Sequence, residues 1–209
     1  MICSIALAQK PSFGFRGGLA SYSISGDANN SLKSILQYTN GMVSTASRTG
    51  FYGGAYASVP LGKGFAIEPG LYYAQKGYTV TGSLNIKGLE FLGANASAKL
   101  QSDYLDIPVL LKADLGGLQV FAGPQFSYLM KSNLKTTAGA LGFNLLNKNM
   151  DVTSNFNKLD VGVTGGIGYQ FRNGLNITGS YDYGLGKIDA NKNFDAYNRG
   201  FKIGVGLSF

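Results

Sequence analysis

Apolar and polar residues alternate with a period of two along much of the chain, the pattern of β-strands whose two faces meet different surroundings. The segment 199–209 shows the alternation most clearly, with residues 201, 203, 205, 207 and 209 all apolar. The pattern predicts eight antiparallel strands, at about residues 13–25, 48–59, 64–76, 103–115, 118–130, 158–171, 174–186 and 199–209.

The predicted strands are long and their connections alternate in length. Most strands run 11–14 residues, whereas strands average about 5–6 residues and a tilted transmembrane strand needs about 9–11. Short turns are expected at 60–64, 116–117 and 172–174, and long loops near 26–47, 77–102, 131–157 and 187–198. We therefore predict an all-β, eight-stranded antiparallel up-and-down transmembrane β-barrel with short periplasmic turns, four longer extracellular loops and periplasmic termini.

A soluble ligand-binding barrel with its apolar face inside is the alternative, and secondary features favour the membrane barrel. The polar face is rich in glycine, which suits a narrow lumen. Aromatic residues mark the strand ends on the apolar face, as in interfacial girdles. Phe209 is expected to act as the C-terminal assembly signal that the outer-membrane assembly machinery reads. The girdle residues are Phe13, Phe15, Phe65, Phe171 and Phe209 at one end and Phe51, Tyr73, Tyr128, Tyr183 and Phe201 at the other.

The amino-acid composition excludes several classes of catalytic and metal site. The 209 residues include 31 Gly, one Cys and no His, so a Ser-His-Asp triad, an HExxH metal site and a cysteine-based zinc site are excluded. The net charge of +7 is spread singly, which does not favour nucleic acid as a partner. We therefore predict a protein that is not an enzyme and uses no cofactor.

The first residues resemble the end of a secretory signal. The segment 1–8 is apolar and closes on Ala6-Leu7-Ala8, an A-x-A-like cleavage pattern, although it lacks a basic region. We predict a signal-peptide remnant at 1–8 and an outer-membrane β-barrel domain at 9–209. A plain N-terminal extension is the alternative.

Eight charged residues fall on the predicted lumen face. A structural network of ion pairs is the leading interpretation, because unpaired charges in such a space would be costly; an ion or proton path is the alternative. Three levels are expected, counted from the periplasmic ends. The residues are Arg16, Glu68 and Lys112 at the lowest level, Asp182 and Lys202 at mid height, Lys76 and Asp106 higher, and Asp160.

The third long loop carries Lys131, Lys135 and Lys148 against Asp151. These lysines could together contact an anionic surface such as lipopolysaccharide, or they could simply keep a polar loop soluble. Segments 32–36 and 144–150 could form short helices or hairpin extensions.

Three motifs carry a family resemblance, at 67–77 (IEPGLYYAQKG), 104–112 (YLDIPVLLK) and 122–128 (AGPQFSY). With them the chain resembles the Bacteroidetes-type small outer-membrane β-barrel proteins of the PorT family. The resemblance implies residence in the outer membrane of a Gram-negative cell, in contact with its lipid and lipopolysaccharide. The expected role is envelope structure or surface recognition through the extracellular loops. The alternative is an accessory component that binds the proteins of a secretion or transport complex.

Overall fold

A computed structural model describes residues 10–26, 43–84, 94–140, 143–188, 190 and 195–209. Within these ranges the chain forms nine antiparallel strands and one short 3-10 helix, Thr153–Asn155. The strands are β1 Ser12–Ser25, β2 Val43–Gly62, β3 Phe65–Leu84, β4 Ala94–Leu115, β5 Leu118–Ala140, β6 Phe143–Asp151, β7 Leu159–Gln170, β8 Leu175–Gly184 and β9 Tyr197–Ser208.

Eight of these strands close into a ring, which confirms the predicted eight-stranded barrel. Each strand of the ring pairs with the next, β5 pairs with β7, and the first and last strands pair from Gly14 opposite Ser208 to Ser25 opposite Tyr197. Phe13 and Phe209 extend this seam by exchanging backbone hydrogen bonds of 2.9 and 3.1 Å. A closed ring leaves no strand edge unpaired.

The strands at one end of the barrel are longer than predicted. We call this the loop end, and the opposite end, which carries the turns at 63–64, 116–117 and 171–174, the turn end. At the loop end β4 begins at Ala94 rather than near 103, and β5 continues to Ala140 rather than stopping near 130. The prediction of long loops over 77–102 and 131–157 was therefore wrong for most of their length.

The third predicted loop is mainly a β-hairpin. Strand β6 pairs with β5 from Ala140 opposite Phe143 to Asn133 opposite Asp151, so segment 144–150 is a hairpin extension rather than a helix. β6 stands outside the ring because β7 takes its place beside β5 nearer the turn end. The predicted leader at 1–8 and segment 32–36 lie outside the described residues.

At the turn end the chain reverses through residues with positive φ. At the turn end Gly116 and Gly117 have φ of 76° and 102°, and Gly174 has φ of 88°, values that glycine adopts without strain. Lys63, with φ of 52°, has a left-handed conformation that the sequence did not suggest. Asp114 supports the glycine turn by accepting hydrogen bonds of 3.0 Å from the Gly116 and Gly117 amides.

The barrel presents apolar side chains to its surroundings and polar ones to its interior. Ile203 and Ile167 on the outer face are 68% and 61% exposed, whereas the inward-facing Glu68 and Asp182 are 2% and 4% exposed. This arrangement matches a barrel in lipid and is opposite to that of a soluble one. Among the described residues no helix is long and apolar enough to cross a bilayer.

Glycine lets neighbouring strands and rings approach inside the narrow lumen. A Cβ on Gly18 would overlap the backbone of Ile203 and Gly204, and one on Gly204 would overlap the Tyr52 hydroxyl. The space that these glycines leave is filled by buried aromatic side chains. They include Tyr22, Tyr52, Tyr56, Tyr72, Tyr104 and Phe121.

Candidate functional site: the lumen and the sheet extension

The lumen charges form three layers, and the first lies toward the turn end. The Arg16 guanidinium is 3.0 Å from Glu68 Oε1, and Lys112 Nζ is 2.6 Å from Glu68 Oε2. Arg16 also lies over the Tyr56 ring, 4.5 Å from its centroid, and donates to Asn176 Oδ1 at 3.4 Å. One carboxylate therefore binds two cations, so this layer carries a surplus of one positive charge.

The middle layer is built around the Asp182 carboxylate. Lys202 Nζ is 2.8 Å from Oδ2, and the Thr164 hydroxyl donates to Oδ1 at 2.6 Å. The Tyr22 hydroxyl and the Gln125 amide also donate to Oδ2, the latter at 3.2 Å. Donors from four strands thus converge on one carboxyl group of a fifth strand, which ties the ring together across its interior.

The layer nearest the loop end holds two carboxylates and one cation. Lys76 Nζ is 2.9 Å from Asp106 Oδ1, donates to Ser127 at 3.0 Å, and lies 4.6 Å from the centroid of the Tyr104 ring. Asp160 has no ion pair among the described residues and accepts a hydrogen bond of 2.8 Å from Asn198 Nδ2. Its other oxygen has no hydrogen-bond partner there.

The side chains of the lumen leave little open space between these charges. The eight predicted lumen charges are four cations and four carboxylates, so they sum to zero. Cavities of about 10 and 30 Å³ lie between them, and these have room for about one water molecule each. Among the described residues, no group of three or more His, Cys, Asp or Glu side chains could hold a metal ion.

A second candidate region is the part of β2–β6 beyond the aromatic side chains at the loop end, which we call the sheet extension: residues 43–50, 77–84, 94–103, 131–140 and 143–151. The structure separates the three predicted loop lysines within it. Lys131 lies opposite Asp103 in the β4–β5 register, whereas Lys135 pairs with Lys99. Lys148 pairs with Thr136, next to Lys135 in the strand, so it lies on the other face of the hairpin.

The outer face of the sheet extension contains a basic groove. Its volume is about 410 Å³, and Arg48, Lys99 and Lys135 are its charged residues. The groove is lined by Ser47, Arg48, Thr49, Thr79, Lys99, Gln101, Asn133, Lys135 and Asn149.

Sequence reasoning missed two of the three groove cations. Lys99 fell in a predicted loop, and Arg48 stood alone at the start of a predicted strand. Their proximity depends on strand register and on the irregular β2–β3 pairing between Ser47 and Tyr52. The like-charged pair of Lys99 and Lys135 would have been detectable only if β4 and β5 had been extended and paired.

A family model describes most of this chain. The outer membrane protein beta-barrel domain matches residues 7–190. The chain belongs to this family. The match establishes an outer-membrane β-barrel, in agreement with the closed ring and its apolar outer face, and it does not distinguish a PorT-type subgroup. No curated protein matches the chain significantly.

Several solved outer-membrane proteins are similar in structure at low sequence identity. Ail of Yersinia pestis, in a complex with the heparin analogue sucrose octasulfate, is 12% identical with a TM-score of 0.49, covering 96% of this chain and 100% of Ail. Neisserial surface protein A is 13% identical with a TM-score of 0.47, covering 96% and 100%. OprG from Pseudomonas aeruginosa is 14% identical with a TM-score of 0.42, covering 95% of each chain.

Proposed function

We propose that this protein is a non-enzymatic, closed outer-membrane barrel that acts in surface recognition through its sheet extension. The observation that carries the proposal is the unequal length of the strands. β4 and β5 have 22 and 23 residues, whereas β8 has 10. The additional length of β4 and β5 forms an ordered polar sheet at one end of a filled barrel, the part of the molecule suited to contact with a partner.

The chemistry of the lumen supports a scaffold rather than an enzyme or a channel. Glu68 is held by two cations, and Asp182 is held by one cation and by neutral donors, so neither is placed as a free general base. The chain has no His to serve in that role. Purified protein in planar bilayers should show no steady porin-scale conductance, because an eight-stranded barrel has room only for its own side chains. Large, stable open channels would contradict the closed scaffold.

We place the sheet extension outside the cell and both termini in the periplasm, since short turns face the periplasm in bacterial barrels. Two single-cysteine variants, Lys148→Cys in the sheet extension and Asn173→Cys in the β7–β8 turn, test this in a Cys3→Ser background. A membrane-impermeant maleimide applied to intact cells should label only the first. Labelling of Asn173→Cys alone would reverse the orientation. Both should react after the outer membrane is permeabilised.

The accessory role implied by the PorT resemblance is tested by purification in mild detergent. A surface-recognition barrel should purify from outer membranes without a stoichiometric protein partner. A stable complex with other envelope proteins would instead support the accessory role. Extraction without any detergent would favour the soluble ligand-binding barrel and contradict both.

We also propose that Phe209, which is 70% exposed on the outer face, is the residue that the assembly machinery reads.

A further inference from the structure

We propose that the basic groove formed by Arg48, Lys99 and Lys135 binds a phosphate group on a glycolipid headgroup of the outer leaflet. The groove is defined by the side chains that line a cavity of about 410 Å³ on the sheet extension. This inference rests on the proposed function only in placing the sheet extension at the outer surface of the membrane.

The groove opens on the lipid-facing side of the sheet rather than into the lumen. Leu100 and Ser102 of β4 point inward and are each 5% exposed, so the alternate positions Lys99 and Gln101 point outward. In β5, Ser132 is fully buried, and the outward positions above it are Asn133 and Lys135.

The groove lies just beyond the apolar surface of the barrel. Along the outer face of β3, Leu71 and Tyr73 are followed by Gln75 and then Thr79, which lines the groove. On β5, Tyr128 and Met130 precede Asn133 and Lys135 in the same way. Tyrosine marks the height of the membrane interface. The groove cations therefore lie on the headgroup side of that level.

Within the described part of the chain, no carboxylate pairs with the cations of the groove. Lys99 and Lys135 are directly opposite each other in the β4–β5 register, a pairing of like charges that destabilises a sheet. None of the three cations has an ion pair among the described residues, and no Asp or Glu is among the side chains that line the groove. A bound anion would relieve this repulsion.

Lys131 shows that the absence of a facing carboxylate is confined to the groove. It lies below the groove on the same strand, opposite Asp103, and its charge also acts on Asp151. Two outward positions along β5 thus separate a lysine that lies opposite a carboxylate from one that lies opposite another lysine. Lys131 is therefore excluded from the groove and serves as a control for it.

Arg48 is held in a defined position. Its guanidinium donates to Gln101 Oε1 at 2.6 Å across Gly77, which pairs with Gln101 and has no side chain to intervene. The remaining nitrogens can then meet an anion, and arginine forms two parallel hydrogen bonds with phosphate. Thr79, Asn133 and Asn149 add neutral groups that suit the hydroxyls of a sugar.

The test measures partition of the protein between vesicles that contain phosphorylated lipid A and vesicles that contain the same lipid without its phosphates. The groove variant is Lys99→Gln/Lys135→Gln, and the matched control is Lys131→Gln/Lys148→Gln, which removes the same charge. Wild type and control should prefer the phosphorylated lipid by about tenfold, and the groove variant should lose most of that preference. Arg48→Lys should fall between them, because it keeps the charge and loses the paired hydrogen bonds.

Three outcomes would overturn the proposal. Equal loss in both double variants would mean that net charge alone is sensed, and no preference in wild type would mean that the groove does not bind the lipid. Groove-dependent binding of inorganic phosphate or of a heparin fragment, with no preference for the phosphorylated lipid, would assign the groove to a soluble anion or a polysaccharide. Heat-modifiable gel migration verifies the fold of each variant, and the cysteine labelling above separately tests the orientation.

Discussion

The ring and the sheet extension are parts of the same strands, but their side chains lie in different surroundings. In the ring each strand has lipid on one side and a crowded lumen on the other, so its residues alternate strictly. β4 shows the change within one strand: Ile107 and Leu105 face outward in the ring, and Gln101 and Lys99 do so in the extension. The backbone pairing of β4 with β5 continues through both parts.

The same comparison holds for charge. Inside the ring every cation of the lumen network contacts a carboxylate at 2.6–3.0 Å. On the outer face of the extension, Lys99 and Lys135 face each other instead. Desolvation makes an unpaired buried charge costly, whereas water tolerates an exposed like-charged pair. Burial therefore determines which charges are structural and which are available to a ligand.

The largest expected effect comes from removing a carboxylate of the ring. Glu68→Gln leaves Arg16 and Lys112 without their shared counter-charge and should lower the free energy of unfolding by about 3–5 kcal/mol. Asp103→Asn in the extension removes a carboxylate that accepts a 2.9 Å hydrogen bond from the Tyr73 hydroxyl, and should cost less than about 1 kcal/mol. Urea titrations in lipid vesicles measure both. Similar costs would remove the distinction between the two regions.

A charged side chain introduced on the outer face of the ring should lower the free energy of unfolding. Val163 is 44% exposed on that face near the middle of β7, and Val163→Arg should cost about 2–4 kcal/mol. Thr164→Ser, at the neighbouring inward position, keeps the hydroxyl that donates to Asp182 and should cost far less. The same titrations apply. A larger cost for Thr164→Ser would mean that the two faces are assigned the wrong way round.

Replacing a glycine of the ring with alanine should lower stability where two strands approach closely and should have little effect where there is open space. Gly18→Ala places a Cβ against the Ile203 carbonyl and should cost about 1–3 kcal/mol. Gly179→Ala on β8 meets nothing within 4 Å and should leave stability within about 0.5 kcal/mol of wild type. Thermal shifts of gel migration would rank them, and a stable Gly18→Ala would show that β1 and β9 can separate without loss of closure.

Much of the ring could be predicted from the sequence because lipid and lumen impose a period of two. The alternation in 159–171 and 199–209 located β7 and β9 to within a few residues. The same rule explains where prediction failed. In the sheet extension both faces tolerate polar residues, so alternation ends near Tyr73 and Tyr104 although the hydrogen bonding does not.

The lumen layers were more accessible to sequence reasoning than the basic groove. Arg16, Glu68 and Lys112 lie on β1, β3 and β4, each close to the turn end of its strand. Their proximity could therefore be estimated by counting residues from that end. Arg48, Lys99 and Lys135 depend on strand ends without such a reference, and on the irregular pairing between Ser47 and Tyr52. Residue type alone indicated cations but not their arrangement.

The smallest expected effect concerns the pH dependence of the hairpin base. Hydrogen bonds from the Thr153 hydroxyl and amide, at 2.6 and 2.9 Å, lower the pKa of the Asp151 carboxyl, and the charge of Lys131 acts in the same direction. Because this pKa is lower in the folded protein, the contact stabilises the base of β6 at pH values above the ordinary Asp pKa of about 3.9. The contribution is lost as the pH falls through the lower, folded pKa.

In NMR spectra of the protein in detergent micelles, the Thr153 amide should lose protection from exchange as the pH falls from about 5 to 2. Exchange rates must be corrected for their intrinsic dependence on pH. The corrected protection should be independent of pH in Asp151→Asn, and amides of the ring such as Thr164 should stay protected in both proteins. A pH-independent Thr153 amide in wild type would mean that Asp151 does not hold the hairpin base, and that backbone pairing with β5 alone positions β6.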